Sequence, residues 1–296
     1  MKNTLPAIVF FGTDDFSLTA LTALIEASYS VVAVITKPDS KQGRGHKSTP
    51  SVVKVLATSH NIPVWQPEKI SDITASIQAL DNPIGVLSSY GKIIPKSTID
   101  LFHPGIINIH PSLLPKYRGP TPIETTISNG DEQTGVSIMQ LAAGMDNGPI
   151  YTSRIHPLTG KETSLELYHA LADIGANLLL ETLPKIIEES LSPFEQNEQE
   201  ATYSHLLKKE DSWLKPKEVS AAEAERLVRA HLIFPKTKMV FDQNVVIITK
   251  AHASTRPLSK IDIQCSDGNY LTIDELIAPS GRRMSASDFE RGYLRA

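Results

Sequence analysis

Asn108 and His110 stand two residues apart at the end of an apolar run, Ile106-Ile107-Asn108-Ile109-His110. If that run is a strand, alternation puts the amide and the imidazole on one face. Pro111 cannot continue a ladder, so the pair falls at the C-terminal end of the strand, where open α/β sheets hold their ligands. A carboxylate follows in Gly144-Met145-Asp146-Asn147-Gly148-Pro149, a turn whose glycines let backbone and substrate approach Asp146. Amide, imidazole and carboxylate together suit acyl-type transfer to an amine. One holds a developing oxyanion, one moves a proton and one sets the charge of the imidazole. Taken singly, each piece has an ordinary reading, because polar pairs at strand ends are usually hydrogen-bonded within the fold and Asp-Asn-Gly is a common turn. The length of the pattern, from Asn108 through Pro115 and on to Tyr117-Arg118-Gly119-Pro120, favours function.

The elements that must position these residues read as a parallel sheet. Ala7 to Gly12 is a buried-strand run, Asp15 to Glu26 has helical spacing and Val31 to Ile35 is a second strand, the start of right-handed crossovers. Gly12-Thr13-Asp14-Asp15-Phe16 fills the first strand-to-helix turn without the three-glycine dinucleotide fingerprint, which argues against NAD. Thr36 to Pro50 reads as a long polar loop, expected to be mobile, and a loop of that length in an α/β unit is more often functional than idle. A helix at Val52 to Ser59, an edge-like strand at Ile62 to Pro67 and a core strand at Ile84 to Ser88 follow, the last ending in Ser88-Ser89-Tyr90-Gly91-Lys92 beside the expected pocket. A short helix over Pro122 to Ser128, a strand over Thr134 to Leu141 that delivers Asp146, a strand over Ile150 to His156 and a long amphipathic helix over Thr163 to Glu189 complete the first domain. Ser192 to Ser204 has linker composition, and a helix capped by Ser220 then leads into four short β-type runs that fit a small barrel. The expected organisation is therefore α/β: a catalytic domain over 1–190 with an open, mostly parallel sheet, a linker over 191–208, and a smaller OB-like β-barrel over 209–296.

Length and charge bound the function. A chain of 296 residues fits two domains. No run reaches the ~20 apolar residues of a membrane span and the N-terminus leads into a strand, so a soluble cytoplasmic protein with no membrane partner is expected. The single cysteine, Cys265, excludes an internal disulfide framework and a cysteine-rich zinc site, and no metal is expected. The net charge of −4 divides unevenly: residues 1–204 carry 14 Lys and Arg against 21 Asp and Glu, and residues 205–296 carry 15 against 12. A second basic excess lies at Lys37, Lys41, Arg44, Lys47 and Lys54, faced only by Asp39. Those two regions are the candidates for nucleic-acid contact.

The run Asn108-x-His110-Pro111-Ser112-Leu113-Leu114-Pro115, with its later Asp146, resembles the formyltransferases that use 10-formyltetrahydrofolate. Within that family it resembles most the branch that formylates methionyl-tRNA. Three features carry this: the loop Pro38 to Pro50 with Gly43-Arg44-Gly45, the run from Gly91-Lys92-Ile93-Ile94-Pro95 through Met145-Asp146, and the tail Ala278-Pro279-Ser280-Gly281-Arg282-Arg283-Met284-Ser285-Ala286. Purine-pathway relatives lack the loop and the C-terminal domain. The resemblance implies that Asn108, His110 and Asp146 are catalytic, and that Ser112, Leu113, Leu114 and Pro115 lie along the folate with Ser89, Tyr90 and Gly91 bordering it. It further implies that Arg44, Lys41, Lys47, Arg282 and Arg283 meet the initiator methionyl-tRNA, and a monomer is expected. Two segments depart from the family pattern: His231-Leu232-Ile233-Phe234-Pro235 stands where an aromatic, asparagine and tryptophan-proline are usual, and Asp211-Ser212-Trp213 replaces Ile-Asp-Trp. Two other readings remain open at this point: a formyltransferase acting on an amino sugar nucleotide, and a non-catalytic tRNA- or folate-binding protein on the same scaffold.

Overall fold

A computed structural model describes residues 6–42 and 47–294. Its packing divides into two compact units. The first comprises the chain up to Pro120, Thr134–His156 and Tyr168–Tyr203; the second comprises Thr121–Gln133, Pro157–Leu167 and the chain from Ser204 on.

The apolar runs form the strands expected of them. In chain order the first part contains β1 (Ile8–Gly12), α1 (Asp15–Glu26), β2 (Val31–Ile35), β3 (Ser40–Gln42), β4 (Lys47–Thr49), α2 (Val52–Ser59), β5 (Val64–Trp65), α3 (Thr74–Gln78), β6 (Ile84–Ser88), α4 (Lys96–Ile99) and β7 (Ile106–His110). It continues with α5 (Pro122–Asn129), β8 (Gln133–Gln140), β9 (Ile150–Pro157) and α6 (Ser164–Ile187). Seven of these strands make one sheet in the order β5-β2-β1-β6-β7-β8-β9, parallel from β5 to β7 and antiparallel between β7 and β8. Every residue of β1 and of β7 is buried, as a strand covered on both faces requires. After β1 the chain runs outward to β2 and β5, then returns to β6 on the other side of β1. The sheet's switch point thus lies between β1 and β6, where such sheets leave a crevice beyond the strand ends.

Two expectations change. Thr36 to Pro50 is not simply an extended polar connector, because β3 and β4 pair antiparallel across it, with Lys41 opposite Ser48 and Gln42 opposite Lys47. Its base is tied down: Lys54 Nζ meets Asp39 at 2.7 Å and donates to Gln66 Oε1 at 2.7 Å, and Gln66 Nε2 donates to the Lys37 carbonyl at 2.8 Å. Arg44 lies outside the described residues. The second change concerns the stretch of linker composition. Residues 194–203 are strapped to the first unit, with Phe194 paired to Ile150, the Arg118 N–H donating to Thr202 O at 2.9 Å and the Tyr117 N–H donating to Thr202 Oγ1 at 2.9 Å. A polar composition conceals this, because the strap is held by hydrogen bonds from backbone and polar side chains rather than by buried apolar side chains.

The second unit has α7 (Ala221–Ala230), capped by Ser220 in a capping box with Glu223, and then β10 (Lys238–Phe241), β11 (Asn244–Ser254), β12 (Ile263–Gln264), β13 (Tyr270–Ile277), β14 (Arg283–Ser285) and α8 (Ala286–Tyr293). The strands form a five-stranded antiparallel sheet of the small barrel-like kind, in the order β10-β11-β13-β12 with β14 also on β13. Its core holds Val228, Val246, Ile248, Leu271 and Phe289. The sequence gives little sign of α8, whose eight residues contribute only Ala286 and Phe289 to the buried set. No helix among the described residues is long and apolar enough to cross a membrane.

Candidate active site

The three polar residues meet in the first unit. Asn108 and His110 are each 4% exposed on the central strand β7, facing the same way. The Asp146 carboxylate reaches them from the turn between β8 and β9, with its Oδ2 3.8 Å from His110 Nδ1. That separation suits charge interaction but is too long for a hydrogen bond. The carboxylate is held from behind, where Oδ2 accepts the Gly119 N–H at 2.8 Å.

His110 Nε2 lies 3.0 Å from the carbonyl oxygen of Tyr117. A carbonyl only accepts, so Nε2 carries the proton there and Nδ1 is the ring atom that faces Asp146. Asn108 differs. Its carboxamide takes no hydrogen-bond partner among the described residues, although the residue is almost wholly buried. An unengaged amide next to an imidazole and a carboxylate can hold a carbonyl oxygen as it gains negative charge.

The glycines around Asp146 let the chain's own groups come close, the backbone half of the expectation. A side chain at Gly148 would strike the Gln140 carbonyl, and one at Gly144 would come within 2.6 Å of the Asn147 side chain. The space they leave is taken by the protein's own chain. Asp146 itself adopts φ 47°, a left-handed conformation unusual outside glycine.

The residues expected along the folate have varied surroundings. The Ser112 hydroxyl donates to the Lys116 carbonyl at 2.6 Å, and Leu114 is buried with Met139 and Ile150, so both anchor their loop. Leu113 and Pro115 are half-buried beside them. Ser89, Tyr90 and Gly91 follow β6 at the switch point. Ser89 Oγ donates to Asp14 Oδ2 at the head of α1. The Tyr90 ring packs edge-on to Phe11 at 5.7 Å, and burial pushes its hydroxyl up to about 12. An aromatic next to a core strand gains more from that apolar surface than from the loop. Gly91 presents only backbone, at φ 68°, with the Lys37 side chain against it.

Among the residues expected to meet tRNA, Lys41 and Lys47 are on β3 and β4, and Arg282 and Arg283 are exposed in the second unit. Arg283 is paired with Glu275 at 3.2 Å.

A family model described as formyl transferase matches residues 6–183. A methionyl-tRNA formyltransferase from Halorhodospira halophila is 37% identical over 96% of this chain and 96% of its own length. The chain belongs to the methionyl-tRNA formyltransferase family. A second member, from Pseudomonas putida, is 36% identical over 95% of this chain and 94% of its own. Another, from Synechococcus, is 42% identical over 71% of this chain and 67% of its own. Among solved structures, an N-formyltransferase from Helicobacter canadensis in complex with folinic acid and dTDP-3-aminofucose superposes with TM-score 0.69 at 19% identity, covering 91% of this chain and 98% of that one. HypX from Aquifex aeolicus in complex with tetrahydrofolic acid gives TM-score 0.67 at 15% identity, over 99% of this chain and 48% of that one. At such identities these two share the fold. Family membership makes the chain a formyl-transferring enzyme.

Two residues of this site carry no role in the sequence reading. Arg118 is 1% exposed and Gln196 9%, and they are joined by a hydrogen bond of 2.9 Å from Arg118 Nε to Gln196 Oε1. Arg118 stands inside the quoted motif and was open to notice as a cation among apolar and turn residues. Gln196 lies in a glutamine- and glutamate-rich stretch where nothing distinguishes it.

Proposed function

We propose that this enzyme moves the formyl group of 10-formyltetrahydrofolate to the free α-amine of initiator methionyl-tRNA, in the cytoplasm, with Asn108, His110 and Asp146 as its catalytic residues. The observation that carries the residue roles is the convergence of an unengaged buried carboxamide with an imidazole and a carboxylate. The amine attacks the formyl carbon, and Asn108 donates its amide N–H to the formyl oxygen as charge develops there. The bond from the formyl carbon to the folate nitrogen N10 then breaks. His110 acts in this step as an imidazolium: its Nε2–H stays on the Tyr117 carbonyl, its Nδ1–H goes to N10, and Asp146 takes the proton lost by the amine and returns it to Nδ1, which restores both groups. The donor is held by the half-buried Leu113 and Pro115 and by the backbone of Ser89 to Gly91, beyond the sheet's switch point. A folate-derived donor fits the site because the unengaged Asn108 amide is a donor suited to a formyl oxygen.

Formylation removes the positive charge of the amine, so selection of the acceptor must rest on contacts away from the reacting centre. Arg44, Lys41 and Lys47 in the first unit and Arg282 and Arg283 in the second are assigned to phosphate contacts. The deciding assay compares formyl transfer from the folate donor to charged initiator tRNA with transfer to amino sugar nucleotides. Turnover on the tRNA alone supports the reading, and preferential turnover on the sugar nucleotide sinks it.

A further inference from the structure

We infer that Gln196 is a positioning residue for the transfer reaction: its carboxamide fixes the backbone of the turn that carries Asp146, and the buried guanidinium of Arg118 fixes the carboxamide. The inference rests on the catalytic role proposed for Asp146.

Gln196 Nε2 donates to the Asp146 carbonyl at 2.8 Å and to the Gly148 carbonyl at 2.7 Å, so both of its N–H groups grip the same turn. Its Oε1 faces Arg118 Nε at 2.9 Å. Arginine can only donate, which settles the orientation of the amide: the oxygen must face the guanidinium and the nitrogen must face the two carbonyls. Arg118 is in turn held by Glu198, which accepts from its Nη1 at 2.9 Å and its Nη2 at 2.7 Å and so compensates a charge that is 1% exposed.

A non-glycine residue at φ 47° persists only where its surroundings determine it. Here the constraint comes from two adjacent residues. Gly119 donates its N–H directly to the Asp146 side chain, and Arg118 secures the Asp146 backbone through Gln196. Relaxing the turn would carry the carboxylate away from its 3.8 Å approach to His110, and a misplacement of about 1 Å can cost on the order of 10²-fold in rate.

The substitution Gln196→Glu separates this role from simple support of the fold. A carboxylate keeps the bond from Arg118 but has no hydrogen to give either carbonyl. The expected variant melts within about 4 °C of the parent. Its KM for the folate donor and for charged tRNA stays within about 2-fold, and its kcat falls at least ~10-fold, part of the loss set by a misplaced group. In an Asp146→Asn background the same change should cost less than about 2-fold more, because residues acting as a unit are not additive. Parental kcat in Gln196→Glu, or an undiminished further loss in the Asp146→Asn background, overturns the assignment. If Gln196→Glu does not fold, Gln196→Met, of similar length and without donors, is read against the same outcomes. Parental turnover in Asp146→Asn alone would instead sink the catalytic role of Asp146, a result distinguishable from failure of the positioning role.

Discussion

A buried carboxamide with no partner costs free energy unless a ligand arrives to use it. Asn108 avoids most of that cost, because its carboxamide, in a residue 4% exposed, keeps a little contact with solvent, and in the proposed role it turns to the formyl oxygen as charge develops there. Asn108→Ala is therefore expected to lower kcat by about 10² to 10³ while the melting temperature holds, since one oxyanion donor is worth that much. Steady-state kinetics with near-parental turnover would refute the assignment. A different residue gives the acid stability of the second unit. Burial opposes ionisation of Glu162, but the Thr159 hydroxyl and the surrounding backbone N–H groups outweigh it and hold the carboxyl down at about 2, from an ordinary 4.5. Because the folded value is depressed, the associated stability is present above pH 4.5 and disappears as pH falls toward about 2. Melting curves of Glu162→Gln against pH should be flatter than the parent's across that window, and equal slopes would contradict the account. At this scale the meeting of Asn108, His110 and Asp146 was legible, because strand periodicity and a glycine-flanked aspartate are local signals. Gln196 was not, since its partners Arg118, Asp146 and Gly148 are remote in sequence.

The strand that presents Asn108 and His110 is held from one side by α6. Gly175 on that helix lies so close to β7 that an added Cβ would come within 2.6 Å of Ile109 Cγ2, between the two site residues. Gly175→Ala gains about 1 kcal/mol of helix propensity and loses about 1 to 3 kcal/mol to overpacking against a branched, buried side chain. The net expectation is a lower melting temperature together with reduced kcat, since the displaced atom is on the strand that carries Asn108 and His110. A variant as stable and active as the parent would show that α6 can shift without cost. Most elements could be read from periodicity, including α7 with its Ser220 cap. The β3–β4 hairpin and α8 could not, because short polar pairs and a helix with few apolar residues carry almost no periodic signal.

For the molecule as a whole, the uneven charge predicts how it meets its acceptor. With the basic excess confined to residues 37–54 and 205–296 of a net acidic chain, kcat/KM for charged tRNA should fall steeply as salt rises, while folate binding changes little. Arg44→Ala should lower the tRNA term and its salt slope together, as loss of one phosphate contact requires. A flat response to salt would point to a small-molecule acceptor instead. Composition placed the end of the catalytic half near residue 190, yet the chain remains fastened to that half as far as Tyr203. Genetic exchange between relatives is constrained accordingly. A crossover near Ser190 would join the Arg118 of one parent to the Gln196 and Glu198 of another, whereas one placed after Tyr203 would transmit all three together, so hybrids with swapped C-terminal parts should be spliced at the later point.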